Sequence, residues 1–219
     1  MKVWDLPTRL YHWVQAVLFV GLLASGFSKE DMHSVLGISL FILIMWRISW
    51  GFVGSETSRF RQFVKSPKAV VIYLKGEGSP HARHSIGHNP AGGWMVVLMI
   101  TVLLLQCCLG LLISGVIDLA LLPELLISDT TLSWFEDAHF FLAYLLIGLV
   151  LVHLIAIAFY KLDKKPLVWA MIVGYQKANI LFKKGNARRE VVIASNTRAL
   201  LMLVVSLFVT MAIIAPSIM

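Results

Sequence analysis

The sequence predicts an all-α integral membrane protein: a bundle of four transmembrane helices with a fifth, C-terminal hydrophobic helix. Three observations carry that reading. Hydrophobic residues make up 58% of the 219-residue chain and charged residues only 14%, too apolar a balance for an ordinary soluble domain. The apolar residues gather into runs, each near the length of about 20 residues that crosses a bilayer core. Apart from Arg47, the Lys and Arg side chains lie between those runs, so the formal charge of +7 reads as a topology signal and not as a nucleic-acid footprint.

The first span runs from about Leu10 to Phe27, preceded by Asp5-Leu6-Pro7-Thr8-Arg9 and closed by Gly26 and the polar Ser28-Lys29-Glu30-Asp31. It lacks a small-residue cleavage site and runs on into the fold, so it does not read as a removable signal. The second span, His33 to Val53, follows after a short hydrophilic turn, which makes the first two helices an antiparallel pair. From Gly54 to about Gly93 a polar segment carries Arg59, Arg61, Lys65, Lys68, Lys75 and Arg83. The third span, Trp94 to Ile117, leads to Asp118, Glu124, Asp129, Glu136 and Asp137 with no Lys or Arg among them. The fourth, Trp134 to Tyr160, ends at Lys161-Leu162-Asp163-Lys164-Lys165-Pro166, and the chain stays basic through Lys177, Lys183, Lys184, Arg188 and Arg189 to Arg198.

The fifth run, Ala199 to Ile214, is long enough to cross with little tilt and carries no candidate ligand. Of the nineteen Lys and Arg, only Lys29 falls on the side away from the N terminus. That bias puts the N terminus in the cytoplasm. A crossing fifth helix then leaves the C terminus outside, and an interfacial one keeps it inside. No internal repeat or low-complexity tract appears, and the chain divides into residues 1–178, a membrane domain, and 179–219, a basic linker with the last helix.

The candidate functional residues are histidines. His139 and His153 stand fourteen residues apart on an apolar segment whose only other ionisable group is Tyr144. As helix, that interval advances about 21 Å and returns to nearly the same face, about 40° round, so the two imidazoles sit near opposite sides of a bilayer core. An intramembrane His is costly unless paired or ligating. With the N terminus inside, His12 shares the depth of His153 on the cytoplasmic side, and His33 that of His139 on the periplasmic side. Two bis-imidazole haem sites follow, one pair of axial ligands at each level. No Cys-x-x-Cys-His is present, which excludes covalent c-type attachment and leaves ligation alone to hold the haem.

The same interval recurs on the first two helices. From His12 it reaches Gly26, a missing side chain where a porphyrin needs room; from His33 it reaches Arg47, a guanidinium at the level of the cytoplasmic haem and suited to its propionates. Gly37, one turn from His33, offers a second clearance. Gly26 and Gly37 serve equally as small-residue packing points, and Arg47 equally as a side chain snorkelling to headgroups. Cys107 and Cys108 read as buried packing residues. The loop His81-Ala82-Arg83-His84-Ser85-Ile86-Gly87-His88 lacks the Cys or carboxylate that a metal site usually adds, so His81 and His84 read as solvated. His88 and Asn89, just before the third helix, are placed to border a haem edge or a quinone pocket.

Taken together, Trp4-Asp5-Leu6-Pro7-Thr8-Arg9-Leu10-Tyr11-His12-Trp13, the second-helix His33 with Met45-Trp46-Arg47-Ile48-Ser49-Trp50-Gly51-Phe52-Val53-Gly54, Gly87-His88-Asn89-Pro90, the His139-to-His153 spacing and Gly174-Tyr175 form a recognisable set. Over residues 1 to about 178 the chain resembles the bacterial membrane cytochrome b family that includes the b-type subunits of nickel-iron hydrogenases and small di-haem quinone-linked cytochromes. The resemblance implies a four-helix core in the inner membrane with haem b, two per chain, held by His12 and His153 and by His33 and His139. It also implies electron exchange between the quinone pool and a periplasmic redox protein, a c-type cytochrome or a hydrogenase-like enzyme. The extra helix departs from the family's four-helix form and suits docking in a membrane complex or homo-oligomer. The acidic outer loop favours a basic surface on the partner. Two other functions stand beside this one: a self-contained haem oxidoreductase acting on superoxide or a ferric chelate, and a haem-free transporter or scaffold whose histidines relay protons.

Overall fold

The computed structural model describes residues 1–28, 32–76, 86–116, 128–163, 165–176 and 190–215. Its helices, in chain order, are α1 (Leu6–Ser28), α2 (Met32–Val53), α3 (Phe60–Phe63), α4 (Pro67–Leu74), α5 (Pro90–Ile113), α6 (Asp129–Leu162), α7 (Leu167–Val173) and α8 (Asn196–Ile214), with a 3-10 turn at Glu56–Ser58. The all-helical membrane architecture read from the sequence is the one observed. Among the described residues, α2, α5, α6 and α8 are long and apolar enough to cross a membrane. At 23 residues α1 has the length as well, but it is the least apolar of the long helices because Arg9, His12 and Gln15 fall in it.

Polar caps set the helix starts, mostly earlier than the apolar runs suggest. Asp5 caps α1, its Oδ1 accepting from the Thr8 amide at 2.6 Å. Asn89 caps α5, its Oδ1 accepting from the Gly92 amide at 2.7 Å, and Pro90 takes the first helical position, where a missing N–H costs nothing. The third span therefore begins a turn before Trp94. Ser128 caps α6 by accepting from the Thr131 amide at 3.3 Å, which lengthens that helix to 34 residues, about 51 Å. Ser195 caps α8, accepting from the Arg198 amide at 3.3 Å. The stretch expected as a polar loop after Val53 contains α3 and α4. Lys29, Arg83, His81, His84, Ile117, Asp118, Glu124, Lys164, Lys177, Lys183, Lys184, Arg188 and Arg189, on which parts of the sequence reading rest, lie outside the described residues.

The chain forms two compact units. The first gathers Met1–His12, Arg47–Leu98 and Leu151–Leu200. Its centre is a buried polar knot. The Asp5 carboxylate, 1% exposed, accepts through Oδ2 from Trp50 Nε1 at 3.3 Å and Ser58 Oγ at 3.2 Å, and Thr8 Oγ1 pairs with Ser58 Oγ at 2.7 Å. Satisfied in this way, a buried carboxylate ties the start of α1 to the end of α2 and to the 3-10 turn. The amino terminus runs beside residues 174–176: the Val3 amide donates to Gly174 O at 2.8 Å, Gln176 N to Met1 O at 2.9 Å, and the Arg9 guanidinium to Ile172 O. Gly174, in the left-handed conformation at φ +84°, ends α7, and a Cβ there would stand 2.9 Å from Trp4 O. Residues 190–198 attach to the same unit. Glu56 N donates to Val192 O at 2.9 Å, Val192 N to Glu56 Oε2 at 3.2 Å, Ala194 N to Ser55 Oγ at 2.9 Å, and Arg198 Nη1 to Val53 O at 3.3 Å.

The second unit gathers Trp13–Trp46, Met99–Val150 and Leu201–Met219. Its buried side chains are mostly aliphatic and aromatic, Leu40, Phe41, Ile44, Trp46, Leu103 and Leu146 among them, with Ser25, Ser206 and Thr210 as the buried polar exceptions among the described residues. Cys107 is buried and Cys108 half-buried, both free thiols, in keeping with a packing role.

Candidate functional site

In the first unit α1 brings His12 and α6 brings His153 to a ring-centroid separation of 6.5 Å, the planes inclined at 51°. In the second, α2 and α6 place His33 and His139 at 6.2 Å with planes at 77°. A metal bound by two imidazole nitrogens at about 2.0–2.1 Å each holds the ring centroids roughly 6 Å apart, because each nitrogen lies about 1 Å from its own centroid. Both pairs have that spacing. The helices thus bring together the same residues that share a depth in the sequence.

In the same unit as the first pair, Arg47 is 3% exposed, and its guanidinium carbon lies 5.9, 5.3 and 6.0 Å from the ring centres of Tyr11, Phe60 and Phe63. Gly51 makes room for this box, since a Cβ there would fall 2.0 Å from Phe60 Cε2. Aromatic faces offset part of the cost of burying a cation, yet Arg47 Nη1 has no hydrogen-bond partner among the described residues. A buried donor in that condition suits an anionic acceptor that the described residues do not supply. His88 packs between Trp4 and Phe63, with ring centroids 4.8 and 4.6 Å away, and lines a cavity of about 200 Å³ with Glu56, Thr57, Gln62, Phe63 and Lys65. Burial above all, and then the positive charge of Arg47, pushes the His88 imidazole down to about 3, so it is neutral at physiological pH. Asn89 is held at both ends of its amide, by Gly92 N and, through Nδ2, by Tyr160 Oη at 2.7 Å. Tyr160 in turn meets Tyr73 Oη at 2.6 Å.

The second pair has supporting residues that the sequence did not single out. Ser25 Oγ lies 3.1 Å from His33 Nδ1 and 3.3 Å from Leu22 O. With the hydroxyl hydrogen given to that carbonyl, Nδ1–H donates to Ser25 and the lone pair is left on Nε2, the nitrogen available for a metal. Gln106 Nε2 stands 3.0 Å from His139 Nε2, while His139 Nδ1 is buried without a partner among the described residues. Glycines adjoin both imidazoles: a Cβ on Gly26 would stand 3.0 Å from His33 Cε1, and one on Gly110 would stand 3.1 Å from His139 Cε1. Above Gly37 a Cβ would meet nothing within 4 Å. Gln106 is the one amide in the apolar run of α5, and Gly110 lies one turn on, a signal the sequence did offer.

The donor set fits haem: two imidazole pairs at bis-ligation spacing, and, among the described residues, an imidazole nitrogen without a partner and a buried guanidinium with an open donor. Comparison with curated proteins and with solved structures gives no match. The family model described as prokaryotic cytochrome b561 matches residues 3–174, most of the chain and all four paired histidines. With helices fit to span a membrane, the chain belongs to the prokaryotic cytochrome b561 family and is a bacterial membrane cytochrome of the b type, binding haem b and transferring electrons.

Proposed function

We propose that the protein carries two haems b, one ligated by His12 and His153 and one by His33 and His139, and passes electrons between the quinone pool and a periplasmic redox partner. The observation that carries this reading is the pairwise approach of four histidines at 6.5 and 6.2 Å, each pair drawn from two helices. Haem supplies one-electron chemistry when bound. The residues around it do the rest. Ser25 holds His33 in the tautomer that presents Nε2. Arg47 offers its open N–H to a propionate, and aromatic walls keep water from competing. Gly37 leaves room for a porphyrin edge, and Gly26 for the His33 imidazole.

The cavity beside His88, walled by Phe63, suits a quinone ring, with Asn89 fixing the adjoining helix start. The excess of Lys and Arg on the N-terminal side supports a cytoplasmic N terminus in the inner membrane. Asp129, Glu136 and Asp137, exposed along the first turns of α6, support a basic docking surface on the periplasmic partner. The family match over residues 3–174 supports reading 1–178 as the haem domain and 179–219 as an addition. The test is a haem-to-protein ratio with reduced-minus-oxidised spectra on the purified chain and single alanine variants. His33→Ala and His139→Ala are expected to remove the same haem, and His12→Ala and His153→Ala the other. Loss of different haems within a pair would overturn the assignment.

A further inference from the structure

Helix α4 is bounded by the Ser66 cap, Pro67 at its first turn and Gly76 at φ +72° after its end. Eight residues span about 12 Å, far too little to cross a bilayer. Its inner side is anchored by the contact of Tyr73 Oη with Tyr160 Oη. Its outer side exposes Val71, Ile72 and Leu74, the last 69% accessible, beside exposed Lys68 and Lys75. Lys65, also exposed, leads into it, and its carbonyl accepts from Trp94 Nε1 at 2.8 Å, the indole of a tryptophan near the start of the candidate span α5. A tryptophan there marks the level of a membrane interface. No acidic residue occurs between Phe60 and Gly76, and none of the three lysines forms an ion pair among the described residues.

We propose that α4 lies in the bilayer interface with Lys65, Lys68 and Lys75 forming a site for anionic phospholipid headgroups. In water the apolar side would be left exposed and the lysines would repel one another. At an anionic interface Val71, Ile72 and Leu74 enter the acyl boundary while the ammonium groups reach phosphates at the same depth. Charge complementarity selects anionic over zwitterionic lipid. Each lysine close to such a surface contributes about a fivefold preference, so the three together contribute on the order of a hundredfold. The chain from Tyr73 through Tyr160 to Asn89 links this helix to the start of α5. The site deepens the membrane assignment, and it lies on the cytoplasmic leaflet if the proposed orientation holds.

The test uses the full haem-loaded chain in nanodiscs of phosphatidylcholine with a minor share of phosphatidylglycerol. Both leaflets are alike there, so the result does not depend on orientation, which a separate topology assay decides. Wild type is expected to retain phosphatidylglycerol preferentially, and the preference should fall as ionic strength rises. The triple variant Lys65→Gln, Lys68→Gln, Lys75→Gln should lose it by about a hundredfold with its haem spectrum intact, and triple replacement by Arg should restore it. Equal retention by wild type and the Gln variant, equal retention of the two lipids, or no response to salt in wild type would overturn the proposal. So would a stable dimer broken by Val71→Ser, Ile72→Ser and Leu74→Ser, which would assign the face to a second copy.

Discussion

Replacing Asp5 tests the part of the fold that sets His12 in place. Asp5→Ala removes the α1 cap, a loss of about 1 kcal/mol. It also takes an acceptor from Trp50 Nε1 and Ser58 Oγ, both buried. Each keeps Thr8 Oγ1, at 3.2 and 2.7 Å, so each loses one partner of two, about 1 kcal/mol apiece. Arg47 loses a nearby negative charge in a buried setting, which adds on the order of 1 kcal/mol. The total is about 3–4 kcal/mol. Asp5→Asn keeps a capping oxygen but turns an amide N–H₂ toward donors, for about 1–2 kcal/mol. His12 lies seven residues, two turns, beyond Asp5 on the same helix. The assay is thermal unfolding in detergent followed by Soret absorbance, with reduced spectra recorded along the way. On the proposed assignment, Asp5→Ala should release the haem placed at His12 and His153 well before the one placed at His33 and His139. A loss under about 1 kcal/mol, an Asn variant as damaged as the Ala variant, or simultaneous release of both haems would refute the reasoning.

Three further outcomes are expected. Ser25→Ala leaves His33 Nδ1 without its hydroxyl partner, so redox titration should show a raised midpoint for one haem only and haem retention there should weaken about tenfold. His88 ordinarily titrates at 6.5 and is held at about 3 when folded, so between those values the unfolded chain binds more protons. Its neutral burial therefore contributes fully above pH 6.5 and is lost as pH falls toward 3, and His88→Gln should flatten the fall in stability between pH 7.5 and pH 5. Gly174→Ala forces a side chain into a left-handed position 2.9 Å from Trp4 O and should cost about 2 kcal/mol or more, measured by unfolding.

The histidine pairs were legible because a helix repeats: fourteen residues return to one face, and alternating spans match the depths of His12 with His153 and His33 with His139. Length and hydropathy gave the spans but not their starts. Asn89-Pro90 is a cap followed by a first-turn proline, and it outranks the apolar onset at Trp94. Ser128 likewise extends α6 past the bilayer length used to begin it at Trp134. Helices α3, α4 and α7 are too short to be stable alone or to show a period, and tertiary contacts such as Tyr73 with Tyr160 fix them. Ser25 escaped because its role depends on which ring nitrogen it meets, a matter of ångströms that residue type does not encode, whereas Gln106 stands out as a lone amide in an apolar run but its imidazole partner does not.

The stretch from Glu190 to Arg198 lies past the family match, yet it is laced to Val53, Ser55 and Glu56 by main-chain and side-chain bonds. The start of the final helix is thereby tied to the first unit at a point remote in sequence. A protease nick introduced between Gln176 and Glu190 would sever the covalent connection while leaving those stitches in place, so the two fragments can travel together through purification. Deleting Glu190 and everything after it would instead strip Val53, Ser55 and Glu56 of these partners.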